Sequence, residues 1–161
     1  MATEQANPEA RPYTAFNFRV EIAVDDVASS ICGGSFAECD GLEMTMEAKS
    51  FREGGRNSGP VHLVGPVGYG QLTLRRGLTT NLDLWKWFEK VVASGSRGLR
   101  ATAEVTLLAA DGTTSAASFT LTGCLPVKLK APSLNAKEGL VAVEEMQLAY
   151  ETLRLKSPAG A

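Results

Sequence analysis

The stretch Ala101-Thr-Ala-Glu-Val-Thr-Leu-Leu-Ala-Ala-Asp-Gly-Thr-Thr-Ser-Ala-Ala-Ser-Phe-Thr-Leu-Thr-Gly-Cys-Leu125 decides the fold. From 101 to 110 and again from 114 to 125, small or apolar residues alternate with polar ones, the period of a strand with one wet face. Between the two runs lies Asp111-Gly112, the strongest short hairpin signal in the chain. Two antiparallel strands are expected to turn there, with Phe119 and Leu121 facing Val105 and Leu107.

The same period spreads outward in both directions. Downstream, Leu125, Val127 and Leu129 oppose Lys128 and Lys130 as far as Pro132. From Val141 to Leu155 two periods overlap: Met146, Leu148 and Tyr150 alternate as in a strand, yet Val143, Met146, Tyr150 and Leu153 also sit at helical spacing. Periodicity leaves that segment open. Upstream, Phe16, Phe18, Val20, Ile22 and Val24 alternate with Asn17, Arg19, Glu21 and Ala23, and Leu42, Met44, Met46 and Ala48 with Glu43, Thr45, Glu47 and Lys49. Leu72 and Leu74 begin a further strand. Between Phe51 and Gly68 the alternation dissolves into Gly54-Gly55, Asn57-Ser58-Gly59-Pro60 and Gly65-Pro66, which reads as an excursion from the domain body in which only Val61 to Val64 could pair.

One helix is expected after Thr80, a candidate N-cap, with Asp83 in the first turn and Gly95 just past the end. At 100° per residue Leu84, Trp85, Phe88, Val91 and Val92 share its apolar face and Trp87 falls at the edge. Trp85 is therefore expected in the core and Trp87 at an interface.

A chain of 161 residues, 44% of them hydrophobic, fits one domain with a core of its own. The expected organisation is an N-terminal arm over 1–11, a single domain over 12–155 and a C-terminal tail over 156–161. Lys and Arg number 16 against 18 Asp and Glu, a net charge of −2, so no strong field points to nucleic acid or an anionic membrane. No apolar run suggests a signal peptide or spanning helix, and the chain is expected to be made and kept in a cytoplasm. The three cysteines, Cys32, Cys39 and Cys124, lack a paired spacing and read as reduced thiols.

The sequence offers little for catalysis. His62 is the only histidine, no Gly-x-Ser-x-Gly elbow occurs, and no set of acid, base and nucleophile follows from spacing. Gly68-Tyr69-Gly70 begins like a dinucleotide fingerprint, but Thr73 stands where a third glycine belongs. A zinc site of Cys32, Cys39, Cys124 and His62 would lack the paired-ligand knuckle. Arg52, Arg56, Arg75 and Arg76 with Trp85 and Trp87 could form a nucleic-acid surface, but Glu47, Glu53 and Asp83 are interspersed, which favours a solvated or ion-paired face. The residues thus indicate a mainly β protein, an antiparallel sandwich or small barrel with one α-helix, no enzyme, and no cofactor or metal. A barrel that binds a small apolar ligand, with Met44 and Met46 lining it, is the alternative.

The order Gly34-Ser35-Phe36, Gly41-Leu42, Glu47, Phe51-Arg52-Glu53-Gly54-Gly55-Arg56-Asn57, Leu72-Thr73-Leu74-Arg75-Arg76-Gly77 and Leu84-Trp85-Lys86-Trp87 resembles the tube proteins of phage tails and of phage-tail-like contractile injection systems. Pro12-Tyr13 and Phe16 also match. The resemblance implies a small β-rich subunit without a catalytic site that closes into rings, six copies by family analogy, stacked inside a sheath. It implies that the segment from Glu43 to Gly68 reaches the next ring, and it tips Val141 to Leu155 toward strand. Interface candidates are then Phe51, Arg52, Glu53, Gly54, Gly55, Arg56, Asn57, Arg75, Arg76 and Trp87. Lumen candidates are Asn17, Arg19 and Glu21 with Glu43, Thr45 and Glu47, polar faces wet enough for a channel wall. Implied partners are further copies of the chain, a sheath protein, baseplate or spike-hub and tube-terminating proteins, and cargo, either phage DNA or protein effectors. The implied setting is a phage tail or a released injection particle.

Overall fold

The alternation around Asp111 folds as a hairpin of two long strands. In the computed structural model, which describes residues 13–25, 30–55, 57–95 and 99–156, Ala101–Leu108 pairs antiparallel with the first half of Ser115–Lys130. The expected arm over 1–11, Arg56, the side chain of Cys32 and residues 157–161 of the expected tail lie outside the described residues. At the turn, Asp111 Oδ1 accepts from the backbone N–H of Thr113 at 3.0 Å and of Thr114 at 2.9 Å. The Thr114 hydroxyl and these amides hold its carboxyl well below the usual carboxylate range. Gly112 takes φ +70°, which suits glycine.

Twelve strands and one helix follow in chain order among the described residues: β1 Phe18–Val24, β2 Ser30–Gly34, β3 Glu38–Asp40, β4 Met44–Met46, β5 Lys49–Phe51, β6 Val61–Leu63, β7 Val67–Tyr69, β8 Gln71–Gly77, α1 Asp83–Ala93, β9 Ala101–Leu108, β10 Ser115–Lys130, β11 Val143–Ala149 and β12 Thr152–Lys156. The eight-stranded sheet runs β2-β1-β9-β10-β11-β8-β3, with β12 also on β10. Its hinge is β10. Residues 115–124 pair with β9 and residues 118–122 with β12, whereas Leu125 to Lys130 pair with β11. The register shifts between Leu121 and Cys124, where Gly123 takes φ +65°, so one strand serves two half-sheets around a bulge. The ambiguous segment from 141 to 155 is extended, as two strands, β11 and β12, broken at Tyr150-Glu151 and paired with different halves of β10. The sheet path stays open, ending on β2 and β3, so the architecture is a bent antiparallel sheet, not a closed barrel.

One core fills the bend. Val20, Ile22, Ala103 and Leu121 from one half and Leu72, Leu74, Met146 and Leu148 from the other are buried together with Leu84 and Trp87 of α1. The helix starts later than its sequence suggests: Leu82, not Thr80, is the N-cap, and Asn81 Oδ1 accepts from the Asp83 N–H at 3.0 Å. Gly95, with φ +71°, follows the last turn as expected. Its apolar stripe is also rotated. Leu84 and Trp87, at i and i+3, are buried and Val91, at i+7, packs against the core, whereas Trp85 and Phe88 are half-buried and Val92 is exposed.

The excursion is an ordered ribbon. β4 pairs with β7 and β5 with β6, so 44–51 and 61–69 run antiparallel as two short ladders separate from the main sheet. Two glycines permit this path. A Cβ on Gly41 would lie 1.9 Å from the Gln71 carbonyl oxygen, and one on Gly65 only 1.7 Å from that of Glu47. Met44 and Met46, expected on a core face or in a pocket, are exposed because none of the other described elements packs over the ribbon.

Candidate assembly interface

The ribbon is tied to the domain at its base by one hydroxyl. Tyr150 Oη lies 2.7 Å from the Gly41 carbonyl and 3.0 Å from that of Glu43, and it accepts from the Glu43 N–H at 3.1 Å. The Gly70 N–H donates to the Glu43 carbonyl at 3.2 Å, and the Tyr69 and Tyr150 rings stack obliquely at 5.8 Å. Beyond this clamp the ribbon exposes Met44, Met46, Phe51, Leu63, Val64 and Val67, each more than half accessible. Exposed apolar side chains gathered in this way are a feature shared by surfaces that bind partners. At the tip, Arg52, Glu53, Gly54 and Asn57 surround an open hollow with Gly59, and Gly55 takes φ +98°. The structure therefore brings Phe51, Arg52, Glu53, Gly54, Gly55 and Asn57 together on one projection.

Arg75, Arg76 and Trp87 go elsewhere. Arg75 and Arg76 point to opposite faces of β8, as the strand period requires. On the outer face Arg75 Nη1 meets Glu38 Oε2 at 2.8 Å and its Nε meets Glu145 Oε2 at 2.9 Å, with Lys128 3.7 Å from the same glutamate. This ladder across β3, β8, β11 and β10 holds the Glu145 carboxyl below its ordinary value through the Arg75 hydrogen bond and raises the guanidinium. Arg76 is buried against Glu144 and over the Phe36 ring, with its Nη2 donating to the Asn81 carbonyl at 2.9 Å. Trp87 is 1% exposed and donates its indole N–H to the Leu99 carbonyl at 3.2 Å. Arg76 and Trp87 are thus core residues, not surface contacts. The helical projection misplaced Trp87, which belongs to the buried stripe, while Trp85, expected in the core, is half-buried with its indole N–H on buried Glu144.

The lumen candidates split into two groups. Arg19 and Glu21 lie on the outward face of β1, beside Thr106 and Glu104 of β9, followed by Ser118 and Thr120 of β10 and Lys156 and Arg154 of β12. Asn17 precedes the strand, half-buried. Glu104 accepts from the Ser118 hydroxyl, and the Thr122 and Thr152 hydroxyls bond one another. The result is a polar face with charges of both signs, in which Ser118 is buried and the Thr120 hydroxyl is shut from solvent. Glu43, Thr45 and Glu47 stand on the ribbon instead.

Glu144 and the anchoring role of Tyr150 escaped the sequence reading, as did exposed Leu134 and Leu140 of the 131–142 loop. The signal for Glu144 was present: it has the same strand parity as Met146 and Leu148, and Arg76 shares parity with Leu72 and Leu74. Charges at inward positions of facing strands announce a buried pair. Among the described residues no cluster of three or more potential metal ligands occurs, and no helix is long and apolar enough to cross a membrane.

A family described as T4-like virus tail tube protein gp19 matches residues 14–154. The fold is similar to a chain of the anti-feeding prophage baseplate, a cryo-EM structure with six-fold symmetry applied, at TM-score 0.79 and 26% identity over 92% of this chain and 97% of that one. It is also similar to a chain of the sheath-tube complex of an extracellular contractile injection system, PVC, at TM-score 0.77 and 21% identity over 98% and 99%. A third likeness, to a chain of the anti-feeding prophage tube-terminating cap, has TM-score 0.79 and 18% identity over 98% and 99%. No curated protein sequence matches the chain.

Proposed function

The chain belongs to the T4-like virus tail tube protein gp19 family, a structural subunit of a tail tube, and on that premise we propose how its surfaces build the tube. Six copies close into a ring, as the six-fold baseplate relative suggests, and rings stack through the ribbon. The observation that carries this is the projecting ribbon from Glu43 to Tyr69, anchored by Tyr150 and with its apolar side chains exposed among the described residues of its own subunit. The polar wall bearing Asn17, Arg19 and Glu21 lines a water-filled lumen for cargo, with Glu43, Thr45 and Glu47 at its rim. Charges of both signs let cargo pass without sticking. Sheath, baseplate and terminator proteins are the outer partners, and the subunit contributes no catalysis. Assembly in the cytoplasm of the producing cell, as part of a tail-like particle, accords with this role. A small-ligand barrel finds no support, since the sheet path is open.

Negative-stain microscopy and light scattering across a concentration series test the reading. Rings and tubes are expected from the wild type, and deletion of residues 54–59 should leave the circular dichroism spectrum intact while shortening or abolishing tubes. Compact monomers at every concentration, with sheath and baseplate proteins added, would overturn it.

A further inference from the structure

Strand β8 carries a different unpartnered apolar surface at each end. At its Gln71 end stands the ribbon, whose base is closed by the Gly70 to Glu43 hydrogen bond. At its Gly77 end, about 20 Å away for seven extended residues, the Leu78 N–H donates to the Ala142 carbonyl at 2.8 Å. There the loop between β10 and β11 exposes Leu134, Leu140 and Val141, 78–88% accessible, beside partly exposed Leu78 and Val143. Leu134 and Leu140 line a hollow of about 240 Å³ with Ser133, Asn135, Glu138 and Ala142.

We propose that this loop surface, Leu78 with Leu134, Leu140, Val141 and Val143, is the receiver for the ribbon of a second copy of the chain. The inference rests on the tube reading and names the surface on which stacking occurs. Within one subunit the two surfaces stand at opposite ends of β8. A contact of ribbon against ribbon would leave the loop end uncovered, whereas a contact between unlike ends covers both and repeats without closing, as a stack requires. Each surface exposes several large apolar side chains, six on the ribbon and five on the loop end, which suits the apolar centre of a standard interface of ~800 Å² per partner. Charge does not oppose the contact: the ribbon carries Glu43, Glu47 and Glu53 with Lys49 and Arg52, and the loop end carries Lys130 and Lys137 with Glu138.

The test joins the two surfaces covalently. In a Cys32→Ser background, Val64→Cys and Leu140→Cys are combined and the concentrated chain is treated with a flexible bismaleimide near pH 7. Burial raises the thiols of Cys39 and Cys124 to about 11, which keeps them protonated and slow to react. The double variant should give a ladder of covalent dimers, trimers and longer species, and each single variant only monomers. Leu140→Asp, at an exposed position, should raise the concentration needed for stacking at least tenfold and leave rings intact. A covalent dimer from Val64→Cys alone would overturn the receiver in favour of ribbon-to-ribbon contact. Tubes on the grid without a ladder, or tubes from Leu140→Asp at the wild-type concentration, would overturn it and leave the tube reading standing. Neither particles nor cross-links at any concentration would overturn both.

Discussion

Arg76 and Glu144 face one another across β8 and β11 as an ion pair sealed inside the core. The second oxygen of Glu144 accepts the indole N–H of Trp85 at 2.8 Å, and the guanidinium also reaches the Asn81 carbonyl ahead of α1. The pair therefore fastens the start of the helix to the sheet.

Removing one member should be far more damaging than its net attraction suggests. Glu144→Leu leaves a buried guanidinium without its carboxylate, and a loss of about 3–5 kcal/mol is expected. Urea unfolding measures it. A loss below about 1 kcal/mol would show that water reaches Arg76.

The two tryptophans should respond differently. Trp87→Ala opens a cavity in the core and should lower stability by about 3–5 kcal/mol. Trp85→Phe keeps a ring but removes the hydrogen bond to Glu144, for which about 1–3 kcal/mol is expected. Equal losses in the two variants would contradict the rotated helix stripe.

Tyr150→Phe should loosen the ribbon and spare the sheet. Its hydroxyl is the only atom removed, so global stability should fall by about 1 kcal/mol, while the Glu43 amide, a donor to that hydroxyl, should exchange with deuterium faster. Unchanged protection at Glu43 would mean that the ribbon base holds without the clamp.

Alkaline pH should destabilise the fold through its thiols. Burial lifts Cys39 and Cys124 from an ordinary value near 9 to about 11. Below pH 9 folded and unfolded chains both keep these protons. Between 9 and 11 the unfolded chain releases them first, so stability falls as pH rises through that window. The urea midpoint of the wild type should drop more between pH 9 and 11 than that of Cys39→Ala. Parallel curves would exclude the thiol as the cause.

The strand pattern was legible wherever one face was buried. Val20, Ile22, Leu72, Leu74, Leu121 and Leu148 all lie inward as their alternation requires, because a period of two assigns every second residue to one side. The resemblance carried by Phe51 to Asn57 and Leu72 to Gly77 led to the family. The helix was legible as an element but not in rotation: its apolar residues spread over a wide arc, and only the packed sheet selects Trp87 over Trp85.

By itself the sequence determined the mainly antiparallel architecture, the turn at Asp111-Gly112, the single helix and the family. Local backbone preference and hydrophobic period suffice for the first three, and the resemblance of its motifs for the family. Only the tertiary structure decided which apolar faces find a partner. Met44 and Met46 alternate as regularly as Val20 and Ile22, yet the first pair lies on an uncovered ribbon and the second in the core. It also decided that adjacent Arg75 and Arg76 part company, one in a surface ladder and one beside Glu144. Period places residues on a common face, but burial depends on what the rest of the chain brings against that face.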